Sequence, residues 1–172
     1  MPKVSSERRR YVPLGFVEPP TLCSDLVFLI PDATLYHFGV LHSQFHNAWM
    51  RTVCRLKSDY RYSGGVVYNT FPWPGATRES LATPVERLIA PGVRKRVEEC
   101  AQGVLDARAA HAGVTLADLY DPEKMSSDLL AAHKALDAAV EAAYGVHFDG
   151  DEEKIVAHLF GMYAKLTERQ SR

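Results

Sequence analysis

At 172 residues, with 47% hydrophobic and 24% charged side chains, the chain is sized for one medium domain or two small ones around a real core. No run of about 18 apolar residues occurs, which excludes a membrane-spanning helix, and no apolar signal segment follows Arg8-Arg9-Arg10. The net charge of -1 divides unevenly: residues 1–76 carry eight Lys/Arg against five Asp/Glu, a net +3, and residues 77–172 carry twelve against sixteen, a net -4. That excess is too small to establish nucleic-acid binding, but it says which half would face phosphates.

Tyr11 to Val17 is apolar with Pro13 and Gly15 inside, and predicts a short or edge strand. Leu22 to Ile30 predicts a second strand, ended by Pro31-Asp32. Thr34 to Cys54 predicts one long helix, because Leu35, Phe38, Leu41, Phe45 and Trp49 step by three or four. Lys57 to Tyr62 alternates and reads as extended. Gly64-Gly65 interrupts it, and Val66-Val67-Tyr68 resumes as a strand. Phe71-Pro72-Trp73-Pro74-Gly75 then ends regular structure, and its rings are expected to pack the junction between two halves.

Beyond Gly75 the character turns helical. Thr83-Pro84-Val85-Glu86 has a capping-box pattern. Pro91 starts a helix through about His111, with Val93, Val97, Cys100 and Val104 as its stripe. Thr115-Leu116-Ala117-Asp118 opens a short turn. Ser126 or Ser127 caps a helix lined by Leu129, His133, Leu136, Val140 and Tyr144, and Gly145 stops it. Acid at Asp149 to Glu153 suits the start of a last helix lined by Ile155, Leu159, Met162 and Leu166. The expected class is α+β: a small mixed α/β domain of short strands with one long helix over residues 1–76, then an antiparallel helical bundle over 77–172.

The usual catalytic signatures are missing. There is no Gly-rich cofactor loop, no Asn/Asp-Pro-Pro-aromatic motif, no P-loop, no GxSxG and no HExxH. Cys23, Cys54 and Cys100 are far apart and suggest reduced thiols, not a zinc site or a disulfide framework. His42 and His46 share a helix face and would give a metal-dependent enzyme two ligands, but no third lies nearby in sequence. His133, on an apolar stripe, reads as a core histidine. No catalytic and no metal-ligating residue is therefore assigned.

The informative segment is Lys57-Ser58-Asp59-Tyr60-Arg61-Tyr62-Ser63. In an extended chain Lys57, Asp59, Arg61 and Ser63 share a face, about 6.5–7 Å apart, with Tyr60 and Tyr62 behind them. Lysine and arginine donate to guanine O6 and N7, and aspartate accepts from cytosine N4–H. Lys57 and Asp59 can thus read the two bases of one G·C pair and Arg61 a neighbouring purine. On these residues alone a solvated strand face with a local Lys–Asp pair is the plainer reading.

The runs IPDATLYHFGVLHSQFHNAWMRTVC, RLKSDYRYS and VVYNTFPWP resemble the target-recognition domain of MmeI-like (type IIL) restriction–modification enzymes and related adenine-specific DNA methyltransferases. The run LADLYDPEKM and the later LLAAHKALDAAVEAAYG are similar to the helical C-terminal domain of the same family. The resemblance covers residues 7 to 168, in the family's order. It implies a segment of a longer polypeptide, with a partial target-recognition domain at 1–76 and the C-terminal helical domain at 77–172. Its partners would be double-stranded DNA and the parent's methyltransferase domain, in a bacterial-type cytoplasm, with no membrane. S-adenosylmethionine would belong to that other domain, and this chain would hold no cofactor and perform no catalysis. The resemblance further implies base readout by Lys57, Asp59 and Arg61. In the family a Lys/Asp pair goes with G and a Glu/Arg pair with C at one base position. Asp25, Arg8, Arg9, Arg10, Arg51, Arg55 and Ser63 are further candidate DNA contacts. A structural or docking module of the same parent is the alternative.

Overall fold

The structure is a computed structural model, which describes residues 1–54 and 59–168. It is an α+β arrangement in which a small antiparallel ribbon sits on a helical body. Strand β1 (Val4–Ser6) pairs with β2 (Asp59–Arg61), with Val4 opposite Arg61, Ser5 opposite Tyr60 and Ser6 opposite Asp59. The other edge of this N-terminal segment is also occupied. Pro2 bridges Val27, the Lys3 N–H donates to the Leu26 carbonyl at 2.8 Å, and the Phe28 N–H donates to Met1 at 2.7 Å. The first six residues therefore run between two partners.

Among the described residues there are six α-helices, in chain order α1 (Leu35–His42), α2 (Gln44–Val53), α3 (Pro91–Ala109), α4 (Leu116–Leu119), α5 (Ser127–Ala143) and α6 (Glu152–Thr167). The long helix expected over Thr34–Cys54 is broken at Ser43, which is extended at φ -76° and ψ 164°. The break has two local causes and one distant one. The Ser43 hydroxyl donates to the Val40 carbonyl at 2.7 Å, ending α1. The Asn47 amide donates to the Ser43 carbonyl at 2.7 Å. The buried Asp137 carboxylate, from α5, accepts the Gln44 N–H at 2.8 Å, satisfying a donor that the new helix start leaves free.

Three expected strands are not regular strands. Tyr11 to Val17 has no ladder, although Tyr11, Val12 and Leu14 are buried. Side chains satisfy its backbone instead: Asn47 Oδ1 accepts from Val12 N–H at 2.9 Å, and Arg108 donates to the Leu14 carbonyl at 2.7 Å. Of Leu22 to Ile30, only Val27 forms a bridge, and Leu22, Leu26 and Leu29 are exposed. Val66-Val67-Tyr68 lies in a π-helical turn, Gly64–Tyr68, closed by Asn69 N–H on the Gly64 carbonyl at 2.9 Å. Thr83 to Glu86 leads into a single 3-10 turn, Val85–Arg87.

The later helix signals mark the observed helix starts, with side-chain caps at Thr115 and Asp151 and none at Ser126. Pro91 occupies the first turn of α3. Thr115 accepts from Asp118 N–H, and Asp151 accepts from Lys154 N–H, each at 3.2 Å. Gly145 closes α5 at φ +70°. Helix α3 packs along α5 and also against α1, while α2 packs against α6. One hydrophobic cluster runs through both halves, from Tyr11 and Val12 to Ile155 and Leu159. Phe71 and Trp73 are buried in it, with Trp73 against Tyr36, Tyr68 and Phe71, and Tyr144 donates to the Pro72 carbonyl at 2.9 Å. Gly75, at φ +73°, is required there: a Cβ would collide with the Leu88 carbonyl.

Candidate nucleic-acid interface

The ribbon holds Arg61 and Asp59, two of the three sequence-predicted reading residues. Arg61 lies in β2, exposed, between a buried Tyr62 and a half-buried Tyr60. That alternation follows from the period of a strand. Tyr62 is locked from both ends. Its N–H donates to the Lys3 carbonyl at 2.8 Å, and its hydroxyl lies 3.0 Å from His46 Nε2. His46 Nδ1 lies 2.9 Å from the Leu41 carbonyl, so Nδ1 carries the proton and Nε2 accepts from Tyr62. Burial holds the His46 pKa down at about 4, so this ring stays neutral at physiological pH. Burial also raises the Tyr62 hydroxyl well above its ordinary value, which keeps it a donor. An exposed arginine thus sits beside a side chain anchored to α1 and α2.

Asp59 occupies the β2 position opposite Ser6. Lys57 and Arg55 lie outside the described residues. Ser63 is half-buried at the start of the π turn. Asp25 is exposed and immediately precedes Leu26, whose carbonyl takes the Lys3 N–H, so the ribbon brings it to the opposite edge from Arg61. The sequence gives no register between Asp25 and Arg61; the link between them is the pairing of the first six residues with both segments, which is non-local.

The candidate phosphate contacts are less uniform. Arg8 is exposed and pairs with the exposed Glu123 at 2.6 Å, a contact worth little in water. Arg51 is half-buried, bound to Glu152 at 2.9 Å and to the Arg10 carbonyl at 2.7 Å. Arg10 is exposed and covers the Tyr11 ring, 5.6 Å from its centroid. Arg9 is half-buried.

Behind the ribbon lies a buried polar network that the sequence did not announce. Arg108 is 9% exposed and donates to the Leu14 carbonyl and, at 2.7 Å, to the Tyr120 hydroxyl. Tyr120 in turn donates to His133 Nε2 at 2.7 Å. Tyr11 stacks on His133 with centroids 4.0 Å apart and donates to Asp137 at 2.6 Å. Burial depresses His133 to about 3 and raises Asp137 to about 6. His42, fully buried against Arg108, Tyr120 and His133, is held well below its ordinary value by burial and the neighbouring His133 and Arg108. His42 and His46 are thus each engaged with protein groups. No cluster of three metal-type side chains occurs among the described residues. None of these residues is arranged as a nucleophile with a base in an open cleft; the Arg108 network joins the N-terminal half to α3 and α5, and His46 bonds Leu41 and Tyr62 within the N-terminal half.

Two family models match the chain in succession. The MmeI target recognition domain matches residues 1–75, and the MmeI C-terminal domain matches residues 89–170. The chain belongs to the MmeI family. DNA methyltransferase A of Bacillus subtilis (strain 168) is 40% identical, over 98% of this chain and 18% of that protein. A solved structure of the type IIL restriction–modification enzyme MmeI in complex with DNA is 41% identical and superposes with a TM-score of 0.85, over 96% of this chain and 21% of that one. The chain therefore spans about a fifth of the length of the relatives it matches. In this MmeI-type segment, the ribbon, α1 and α2 fall in the target recognition domain, while α3, α4, α5 and α6 fall in the C-terminal domain.

Proposed function

We propose that this chain reads duplex DNA for an S-adenosylmethionine-dependent adenine-N6 methyltransferase or restriction–modification enzyme acting in the cytoplasm. The observation that carries this reading is the union of a target recognition domain with a ribbon that exposes Arg61 on a rigid, tyrosine-backed strand. Residues 1–76 supply base and backbone contacts, and residues 77–172 form the helical domain that supports them. Lys57 and Asp59 read one G·C pair, Lys57 donating to guanine and Asp59 accepting from cytosine, while Arg61 reads a nearby purine through N7. Arg8, Arg9, Arg10, Arg51 and Arg55 hold phosphates, Asp25 and Ser63 flank the reading row, and none of these residues performs chemistry. The parent's other domain binds the cofactor, extracts the adenine and methylates it.

The test is a paired substitution in the full-length protein, Lys57→Glu with Asp59→Arg, followed by mapping of the methylated motif. A change from G to C at one position is expected. An unchanged motif would refute the assignment of these two residues. The second reading, a docking module without DNA contacts, draws on the continuous core and the buried network that tie the two halves together. It predicts that substituting Arg61 leaves the motif untouched.

A further inference from the structure

Val4 is an apolar side chain at an unexpected place. It is 52% exposed at the end of the ribbon, directly opposite Arg61 in the antiparallel register. Its neighbour Ser5 is buried at 4%, so the strand alternates and Val4 belongs to the solvent face that carries Arg61. On the other side of the same segment, Lys3 N–H is bonded to the Leu26 carbonyl, and Leu26 is itself 65% exposed. The Pro2–Val27 pairing sets Leu26 on the face of Lys3, so the outer face of the ribbon places Arg61 beside the apolar side chain of Val4. Val4 pairs with Arg61 on one side and follows Lys3, which bonds the other segment, yet its β-branched side chain stands half in solvent.

The major groove admits a two-stranded ribbon, and its one apolar feature is the 5-methyl group of thymine. Directly opposed residues in an antiparallel pair stand about 4.5–5.5 Å apart, and base pairs about 3.4 Å. A side chain opposite Arg61 consequently meets the same base pair, the next, or the one after. We infer that Val4 is a specificity-determining residue that packs on the 5-methyl group of a thymine within two base pairs of the purine read by Arg61. The inference rests on the DNA-reading role proposed above and adds a residue and a base to it.

The experiment selects bound duplexes from a randomised library with the full-length protein and with its Arg61→Ala, Val4→Ala and Val4→Ser variants. Arg61→Ala erases preference at one position. The wild-type motif holds an A·T pair within two positions of it, and both Val4 variants weaken that preference about three- to fourfold, the factor expected for one buried methyl group. Replacing the thymine by deoxyuridine, which lacks only the methyl, weakens wild-type binding by the same factor and leaves Val4→Ala binding unchanged. The inference is overturned if deoxyuridine at every thymine within that window leaves wild-type affinity intact, a result that needs no variant to fold. It is equally overturned if Val4→Ala remains as sensitive to deoxyuridine as the wild type. A motif unaltered by Arg61→Ala instead brings down the underlying DNA-reading role, so the two failures are separable.

Discussion

Single side chains bear on two separate matters in this molecule, the recognition proposed for the ribbon and the cohesion of the buried network. Arg61 is exposed, so on the proposed reading Arg61→Ala should leave the thermal midpoint of unfolding nearly unchanged while relaxing one base position by about 1–3 kcal/mol. Arg108 is the reverse case. Its guanidinium is buried and donates to the Leu14 carbonyl and the Tyr120 hydroxyl. Arg108→Met keeps the volume but strands a buried carbonyl, and we expect a loss of roughly 3 kcal/mol in urea unfolding. A loss below about 1 kcal/mol would show that the network contributes little beyond packing. The tyrosine–arginine–tyrosine row was legible in the sequence because it is local and alternates. Arg108 was not, because a lone arginine in a helix that also carries Arg94 and Arg96 gives no sign that it is the buried one.

At the scale of elements, α1 crosses α3 so closely that Gly39 is part of the contact. A Cβ there would stand 2.8 Å from Val97 Cγ1 and 3.2 Å from Ala101 Cβ. Valine is stiff at χ1 and an alanine Cβ cannot move without its backbone, so neither neighbour yields cheaply. Gly39→Ala gains about 1 kcal/mol of helix propensity and incurs about 1–3 kcal/mol of overpacking. Net destabilisation is expected in denaturant titration, and a stabilised variant would contradict this crossing. Helices α3, α5 and α6 were readable because Pro91, Ser126 and Asp151 mark their starts locally. The break at Ser43 was not, since the group that receives the new N-terminus, Asp137, comes 93 residues after Gln44. The ribbon was half readable for the same reason. The tendency of residues 59–61 to extend is local, but pairing with residues 4–6 is set by the tertiary fold.

Taken as one body, the chain shares a core across its two family segments, so residues 1–76 alone should not unfold cooperatively, whereas the whole chain should show a single transition. The buried histidines set its response to pH. His46 and His133 sit at about 4 and about 3 in the folded state, and His42 is also well below its ordinary value of about 6.5. Below pH 6.5 the unfolded chain binds these protons and the folded chain does not, so stability falls as the pH drops, by about 2 kcal/mol for each of His46 and His133 at pH 5, with His42 acting in the same direction. Asp137, raised to about 6, opposes this: its folded form takes up a proton first, contributing about 1 kcal/mol in the other direction at pH 5. Three groups outweigh one, and the denaturation midpoint should decline between pH 6.5 and 5; a flat or rising midpoint would contradict the burial of these rings. The central claim, that the N-terminal half presents a surface to DNA, is tested most directly by titrating this chain against random duplex DNA over a salt series. The account predicts measurable binding at low salt, with the logarithm of the association constant falling by about 0.9 per phosphate contacted and a slope steeper than about -2. Absence of binding at low salt, or binding indifferent to salt, would contradict it.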